Sequence, residues 1–181
     1  DFTAPVGGAI TFNRLIGPHE FKVIFTEDVG ASLIGADLAL TNTPFGTSNG
    51  PRSVSYDAGT NTAMFTIPSA SLGILANGNY AAFINRLNVA DVAGNNPAVS
   101  VTGAFSFVNG DADGDFDVDL DDFTALGANF GLSPRNVTEG DFTYSGAVDL
   151  DDFTVLAANF GVDLPPPEAS LPRAAGGTFS E

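Results

Sequence analysis

The sequence predicts a mainly β chain with a small α-helical second part. Short segments of the first hundred residues alternate apolar and polar side chains and are separated by turn-forming residues. The density of negative charge then rises steeply, and a pattern returns after 30 residues. These observations predict two different folds in one chain, because alternation is typical of strands and the repeat has the spacing of short helices.

Residues 1–108 contain six segments with the period of two that a half-buried strand shows. Turn sequences such as SNGP, DAGTN, ANGN and DVAGNN lie between them. About seven short strands at this spacing predict a β-sandwich. The segments are FKVIF (21–25), DLALT (37–41), SVSYD (53–57), TAMFTI (62–67), NYAAFI (79–84) and AVSVTGAFSFV (98–108).

The net charge of −16 comes from 22 acidic and 6 basic residues, so nucleic acid and anionic lipid surfaces are excluded as partners. Residues 109–163 hold 13 acidic residues and 1 basic residue, whereas residues 1–108 hold 7 and 4. We place a domain boundary at about Asn109. This divides the chain into a sandwich (1–108), an acidic domain (109–161) and a Pro-rich linker and tail (162–181).

The absence of Cys excludes disulfides, thiolate metal sites and a Cys nucleophile. No run of 18 apolar residues predicts a membrane span, so direct membrane insertion is not expected. The chain begins at Asp1 without the basic and apolar regions of a leader, and we expect that a leader was removed or that the chain is a fragment.

The repeat is DLDDFTALGANFG at 119–131, which returns as DLDDFTVLAANFG at 149–161 with 11 of 13 positions identical. In each copy two Phe and one Leu lie at i, i+3 and i+7, the spacing of one helix face, and a Gly follows where a helix ends. We interpret these Phe side chains as core residues of two loop–helix units. They are Phe123 and Phe130 in the first unit and Phe153 and Phe160 in the second.

Each helix is preceded by a loop whose oxygen-bearing residues follow the spacing of a calcium loop, with ligands at positions 1, 3, 5, 7 (backbone), 9 and 12. The first loop supplies Asp111, Asp113, Asp115, the carbonyl of Asp117, Asp119 and Asp122. The second loop supplies Asp141, Thr143, Ser145, the carbonyl of Ala147, Asp149 and Asp152. Because closely spaced carboxylates repel one another unless a cation lies among them, we predict two bound Ca²⁺ ions.

Two further loop positions carry predictions. Position 8 is Val118 in one loop and Val148 in the other, which suits a short antiparallel bridge between the loops. Position 6 of the first loop is Phe116, where a Gly is expected, so we predict backbone strain or a reshaped turn there. The first loop has more carboxylates and is expected to bind its cation more tightly, and binding should contribute to folding.

Residues 109–161 resemble a dockerin domain, in which two such Ca²⁺ units stand in tandem. The resemblance implies an all-α dockerin-like EF-hand pair and docking to a cohesin. Loop positions 10 and 11 depart from the Ser/Thr pairs of cellulosomal dockerins, since they are Leu120 and Asp121, then Leu150 and Asp151. Calcium binding therefore carries over and the cohesin-recognition residues do not.

The first half resembles bacterial Ig-like domains of surface and secreted proteins in FTEDV (25–29), ADLALTN (36–42), YDAGTNTAMF (56–65) and DVAGN (91–95). The resemblance implies an Ig-like β-sandwich and indicates almost nothing about activity. The predicted fold class is therefore an Ig-like β-sandwich followed by an all-α dockerin-like EF-hand pair.

Catalytic residues are not predicted. The single His, His19, follows Gly-Pro and is expected at a turn or strand edge, and Glu27, Asp28 and Asp91 are assigned to acidic turns rather than to a further cation site. A carboxylate pair for glycoside hydrolysis is not marked, and GxSxG, HExxH and phosphate-loop motifs do not occur. We therefore predict that the chain is not an enzyme.

The tail VDLPPPEASLPRAAGGTFSE combines a polyproline-type spacer with small residues. A segment such as GGTFSE can add as a strand to an exposed sheet edge, so the tail is a candidate docking strand. Asn136 starts an N-glycosylation sequon.

The interpretation is a non-catalytic, secreted or cell-surface calcium-binding protein that assembles into or onto a bacterial surface structure or filament. Two alternatives stay open. The chain is either a dockerin-type module that docks to a cohesin-like receptor or the C-terminal accessory region of a secreted polysaccharide hydrolase.

Overall fold

The computed structural model describes residues 10–15, 17–42, 47–48, 53–67 and 74–167. Two antiparallel four-stranded sheets are present in this part of the chain, with strand orders β1-β2-β6-β5 and β4-β3-β7-β8. The strands are β1 (Thr11–Asn13), β2 (Glu20–Ile24), β3 (Leu38–Asn42), β4 (Thr47–Ser48), β5 (Ser53–Asp57), β6 (Thr62–Thr66), β7 (Gly78–Ile84) and β8 (Val101–Phe107).

The alternation in the sequence corresponds to the two faces of these sheets. In β2, Phe21 and Val23 are fully buried, and Phe21 lies opposite the buried Phe65 of β6. In the other sheet, Tyr80 of β7 stacks on Phe105 of β8 with ring centroids 5.1 Å apart. Since buried residues of both sheets belong to one apolar cluster, the larger core lies between the sheets.

The six predicted segments coincide with β2, β3, β5, β6, β7 and β8. The strands β1 and β4 were not predicted. They have three and two residues, which is too short for a period of two to be recognised.

The predicted fold class, an Ig-like β-sandwich followed by an all-α dockerin-like EF-hand pair, is wrong. The described chain is mostly β-sheet and contains two short α-helices, α1 (Leu120–Asn129) and α2 (Leu150–Asn159). An EF-hand has a helix on each side of its loop. Within 74–167 the strand β8 precedes the first loop, and only a 3₁₀ turn, Val137–Glu139, precedes the second.

Both helices begin at an aspartate N-cap. The Asp119 side chain accepts a hydrogen bond from the Asp121 N–H, and Asp122 bonds back to the Asp119 N–H in a capping box. Asp149 and Asp152 repeat this arrangement in α2. The N-cap aspartate is also loop position 9, and its capping-box partner is loop position 12. The same carboxylates therefore start the helix and belong to the predicted ligand set.

The prediction that the four repeat Phe are core residues is wrong. Their exposed fractions are 41% for Phe123, 52% for Phe130, 39% for Phe153 and 57% for Phe160. In α1 the buried residues are Asp122 and Leu126, which share a face at i and i+4. The Asp122 carboxylate must face the loop that it closes, and this turns Phe123, one residue later, outward.

The predicted bridge between Val118 and Val148 is also wrong. Val118 exchanges backbone hydrogen bonds with residues 161–162, which follow α2, and Val148 exchanges them with residues 131–132, which follow α1. Each loop is therefore paired with the segment after the other helix. The two units interlock around a second apolar cluster that includes Leu126, Phe142 and Leu156.

Within the described ranges, neither helix has the length and apolar character that crossing a bilayer requires. The predicted docking tail lies largely outside these ranges, which end at residue 167.

Candidate metal centre

The first loop is closed by its first and twelfth residues. Asp122 is 1% exposed, and its two carboxylate oxygens accept from the N–H groups of Ala112 at 2.7 Å and Asp119 at 2.8 Å. Asp111 is 3% exposed and accepts from the N–H groups of Gly114 and Phe116. These two carboxylates hold the loop backbone around a shared interior.

The remaining acidic side chains of the first loop converge on this interior. Two groups of three carboxylates each have oxygen atoms within 4.8 Å of one another. One Asp117 carboxylate oxygen, Oδ1, is buried without a hydrogen-bond partner among the described residues. The sequence assigned the carbonyl of Asp117 as a ligand and missed this side chain. The groups are Asp111, Asp113 and Asp115, and Asp117, Asp119 and Asp122.

Two crowded carboxylates of the first loop, those of Asp111 and Asp117, have raised pKa values. Burial raises the pKa of Asp111, although the Gly114 N–H and the Arg14 guanidinium act in the opposite direction. Burial, followed by the charge of Asp115, also raises the pKa of Asp117. Desolvated carboxylates near like charges favour the protonated form unless a cation neutralises them. The donor set of hard oxygens fits a hard divalent cation.

The second loop repeats the closing contacts with fewer charges. Asp152 accepts from the N–H groups of Thr143 and Asp149, both at 2.8 Å, and Asp141 accepts from Ser145 at 2.9 Å and Gly146 at 2.8 Å. The two predicted hydroxyl ligands also lie beside other predicted ligands. The Thr143 hydroxyl is 3.4 Å from an Asp141 oxygen, and the Ser145 hydroxyl donates to the carbonyl of Ala147 at 3.1 Å.

Both loops place positions 4 and 6 in the left-handed region. In the first loop these are Gly114 (φ 88°) and Phe116 (φ 78°), so the strain predicted at Phe116 is confirmed. In the second they are Tyr144 (φ 60°) and Gly146 (φ 87°). Each loop therefore has one Gly and one aromatic residue in this conformation, in reversed order. The sequence prediction considered position 6 alone and missed Tyr144.

Sequence reasoning also missed Arg14, which lies next to the first loop. Its guanidinium donates to the carbonyl oxygens of Asp111 at 2.8 Å and Ala112 at 3.1 Å, and one nitrogen lies 3.8 Å from an Asp111 carboxylate oxygen. No local pattern could have found this contact, because 97 residues separate Arg14 from Asp111.

Two acidic residues of the first half, Asp28 and Asp91, accept hydrogen bonds within their own turns. Asp91 accepts from the N–H groups of Ala93 and Asn95 and from the Asn95 side chain, and Asp28 accepts from the N–H of Gly30. These contacts support the assignment of both carboxylates to turns. The sequon residue Asn136 likewise caps its own turn, where its side-chain oxygen accepts from Thr138.

His19 lies directly before β2, as expected for a strand edge, but it is fully buried. Its Nδ1 accepts from the Leu75 N–H at 3.1 Å, so the neutral ring carries its proton on Nε2. Nε2 then donates to the Tyr144 hydroxyl at 3.0 Å. Both ring nitrogens are occupied in the neutral form, which supports a structural role over a catalytic one.

We expect this histidine to make folding sensitive to acid. Burial lowers the pKa of His19 to about 4, from 6.5. Between these values the unfolded chain binds the proton and the folded chain does not, so stability is full above pH 6.5 and falls as the pH drops towards 4. The loss reaches about 3 kcal/mol. Denaturant titrations across this range should show a steeper pH slope for the native chain than for His19→Asn, and equal slopes would contradict it.

No protein-family model matches the sequence, and no curated protein matches it. Among solved structures, the chain is similar to the N-terminal part of the bacterial S-layer protein SbsC, with a TM-score of 0.46 and 21% identity over 59% of this chain and 24% of that chain. In a longer crystal structure of that protein the TM-score is 0.45, and the chain spans 14% of its length. A type II cohesin–X–dockerin complex from Acetivibrio cellulolyticus has a TM-score of 0.27 and 17% identity over 88% of this chain and 96% of that chain. At these scores and identities the similarities carry no argument about function.

Proposed function

We propose that the chain is a non-catalytic, extracellular structural and interaction module that binds two Ca²⁺ ions and belongs to a bacterial surface structure. The observation that supports this proposal is the duplicated loop, in which the carboxylates at loop positions 1 and 12 are buried and hold the loop backbone closed. The ligands would be those predicted from the spacing, with residues 1–108 and 109–161 as two domains.

Calcium fits these loops better than magnesium. Ca²⁺ accepts six to eight oxygen ligands in flexible geometry, whereas Mg²⁺ demands a tight octahedron and keeps its waters. The loops offer carboxylates, hydroxyls and backbone carbonyls on a backbone with strained left-handed residues. Such a mixed and irregular donor set is typical of calcium sites.

A second function, protein docking, is favoured by the exposed aromatic face of α1 and α2. Phe123 and Phe153 meet edge to face with ring centroids 6.4 Å apart although each is about two-fifths exposed. The part of the chain that carries these rings, residues 109–163, holds 13 acidic residues and 1 basic residue. We propose a protein receptor with an apolar groove and a basic rim, because a second copy of this acidic surface would be repelled. A cohesin-like receptor is the alternative partner that the dockerin resemblance implies.

Calorimetric titration of the intact chain with Ca²⁺ tests the metal proposal. We expect two sites in the native chain, loss of the first in Asp122→Ala and loss of the second in Asp152→Ala, with weak competition from Mg²⁺. Asp121→Ala and Asp151→Ala are matched controls, since each removes a neighbouring exposed carboxylate that is not a predicted ligand. Absence of binding heat, or equal effects of the control substitutions, would overturn the proposal.

A further inference from the structure

One side chain of the second loop, Tyr144, packs against the sandwich. The Tyr144 hydroxyl donates to the carbonyl of Arg14 at 2.9 Å and accepts from His19 Nε2 at 3.0 Å. Its ring stands edge to face with the His19 ring, with centroids 5.4 Å apart. Arg14, Gly17 and His19 belong to the β1–β2 turn, defined here as residues 14, 15 and 17–19.

The Tyr144 ring is closely packed against Gly17. A Cβ atom placed on Gly17 would lie 2.9 Å from Cγ of Tyr144, closer than side-chain carbons approach. Gly17 therefore forms one wall of a socket for the Tyr144 ring, and His19 forms another.

The backbone that positions the Tyr144 ring also belongs to the candidate cation site of the second loop. Tyr144 lies between two predicted ligands, Thr143 and Ser145, and its φ of 60° costs a residue with a side chain about 1–2 kcal/mol. The N–H groups of Thr143 and Ser145 are held by Asp152 and Asp141, the carboxylates that close the loop. Closing the loop around a cation thus stabilises the conformation that directs Tyr144 into its socket.

We propose that cation binding by the second loop is thermodynamically linked to docking of Tyr144 on the β1–β2 turn, so that Ca²⁺ fixes the repeat on the sandwich. This inference rests on the proposed calcium function. Linkage is reciprocal, and a change on the sandwich side must therefore weaken cation affinity by the factor by which the cation strengthens docking.

The chain contains one His, so the ring protons of His19 are a unique NMR probe of the socket. During Ca²⁺ titration we expect these resonances to shift, because the Tyr144 ring moves into edge-to-face contact. The shift should persist in Asp122→Ala, which removes the first site, and disappear in Asp152→Ala, which removes the second.

Gly17→Ala supplies the reciprocal test. Its added methyl group obstructs the socket, and we expect about fivefold to tenfold weaker Ca²⁺ binding at the second loop, within the usual range of coupling. Gly127→Ala is the control for an added methyl group, since a Cβ at Gly127 meets no atom within 4 Å, and it should not weaken the affinity because Ala favours the helix α1. Tyr144→Phe keeps the ring but removes both hydrogen bonds, and should weaken binding by a smaller factor.

The outcomes separate the two proposals. Absence of Ca²⁺ binding by calorimetry overturns the calcium function and this inference with it. Binding at both loops with unmoved His19 resonances, and with native affinity in Gly17→Ala and Tyr144→Phe, overturns the linkage alone.

Discussion

Removal of Ca²⁺ should unfold the repeat, residues 109–161, and leave the sandwich folded. The repeat carries dense like charge, and its apolar cluster has seven buried residues within 109–161, against seventeen in the described part of the sandwich. A ligand that binds only the folded state stabilises it by about 4 kcal/mol at 1,000 times its dissociation constant. Two such sites would supply most of the stability of so small a unit.

Circular dichroism during chelation measures this effect. We expect the helical signal at 222 nm to be lost on addition of EGTA and regained with excess Ca²⁺, because both α-helices of the described chain lie in the repeat. A double variant, Asp122→Ala with Asp152→Ala, should resemble the chelated native chain at any Ca²⁺ concentration. A helical signal that survives complete chelation would contradict the expectation.

Gly140→Ala should destabilise the repeat by about 3 kcal/mol or more, the scale of overpacking added to left-handed strain. Gly140 has a φ of 100°, and a Cβ there would lie 2.6 Å from Cα and 3.1 Å from the backbone nitrogen of Leu126. Because these are backbone atoms of α1, no side-chain rotation can relieve the contact. The helix would have to move away from the turn that ends at Gly140.

Gly131→Ala provides the control for this substitution. Gly131 also has a left-handed backbone, with a φ of 77°, but a Cβ there meets no atom within 4 Å. It should cost only the conformational strain, about 1–2 kcal/mol. Denaturant unfolding at saturating Ca²⁺, followed at 222 nm, gives both values. If the two variants lost equal stability, the contact with Leu126 would not be the cause.

Much of the local structure could be read from the sequence. Alternation located six strands, such as β2 around Phe21 and Val23, because neighbouring residues of a strand face opposite sides. Aspartate spacing located both loops, and the structure brings Asp111 and Asp122 together at the closure of the first. That these residues bind Ca²⁺ remains a proposal.

Other features could not be read in this way. The i, i+3, i+7 pattern suggested that Phe123 and Phe130 are buried, yet the competing demand that Asp122 face the loop determines how α1 is rotated. The all-α EF-hand pair was inferred from resemblance alone, whereas the repeat itself indicated only a loop followed by a helix. The residues before the first loop are those of β8, whose alternating pattern had already indicated a strand.

The sequence by itself determined six of the eight described strands, the two acidic loops and the places of the two helices, since each depends on residues that are near one another in the chain. Only the tertiary structure decided that Val118 pairs with the segment after α2, that the aromatic rings of the helices face outward, and that Tyr144 lies against His19. These contacts join residues that are 43 to 125 positions apart or depend on competition between buried groups, and neither is encoded in a local pattern.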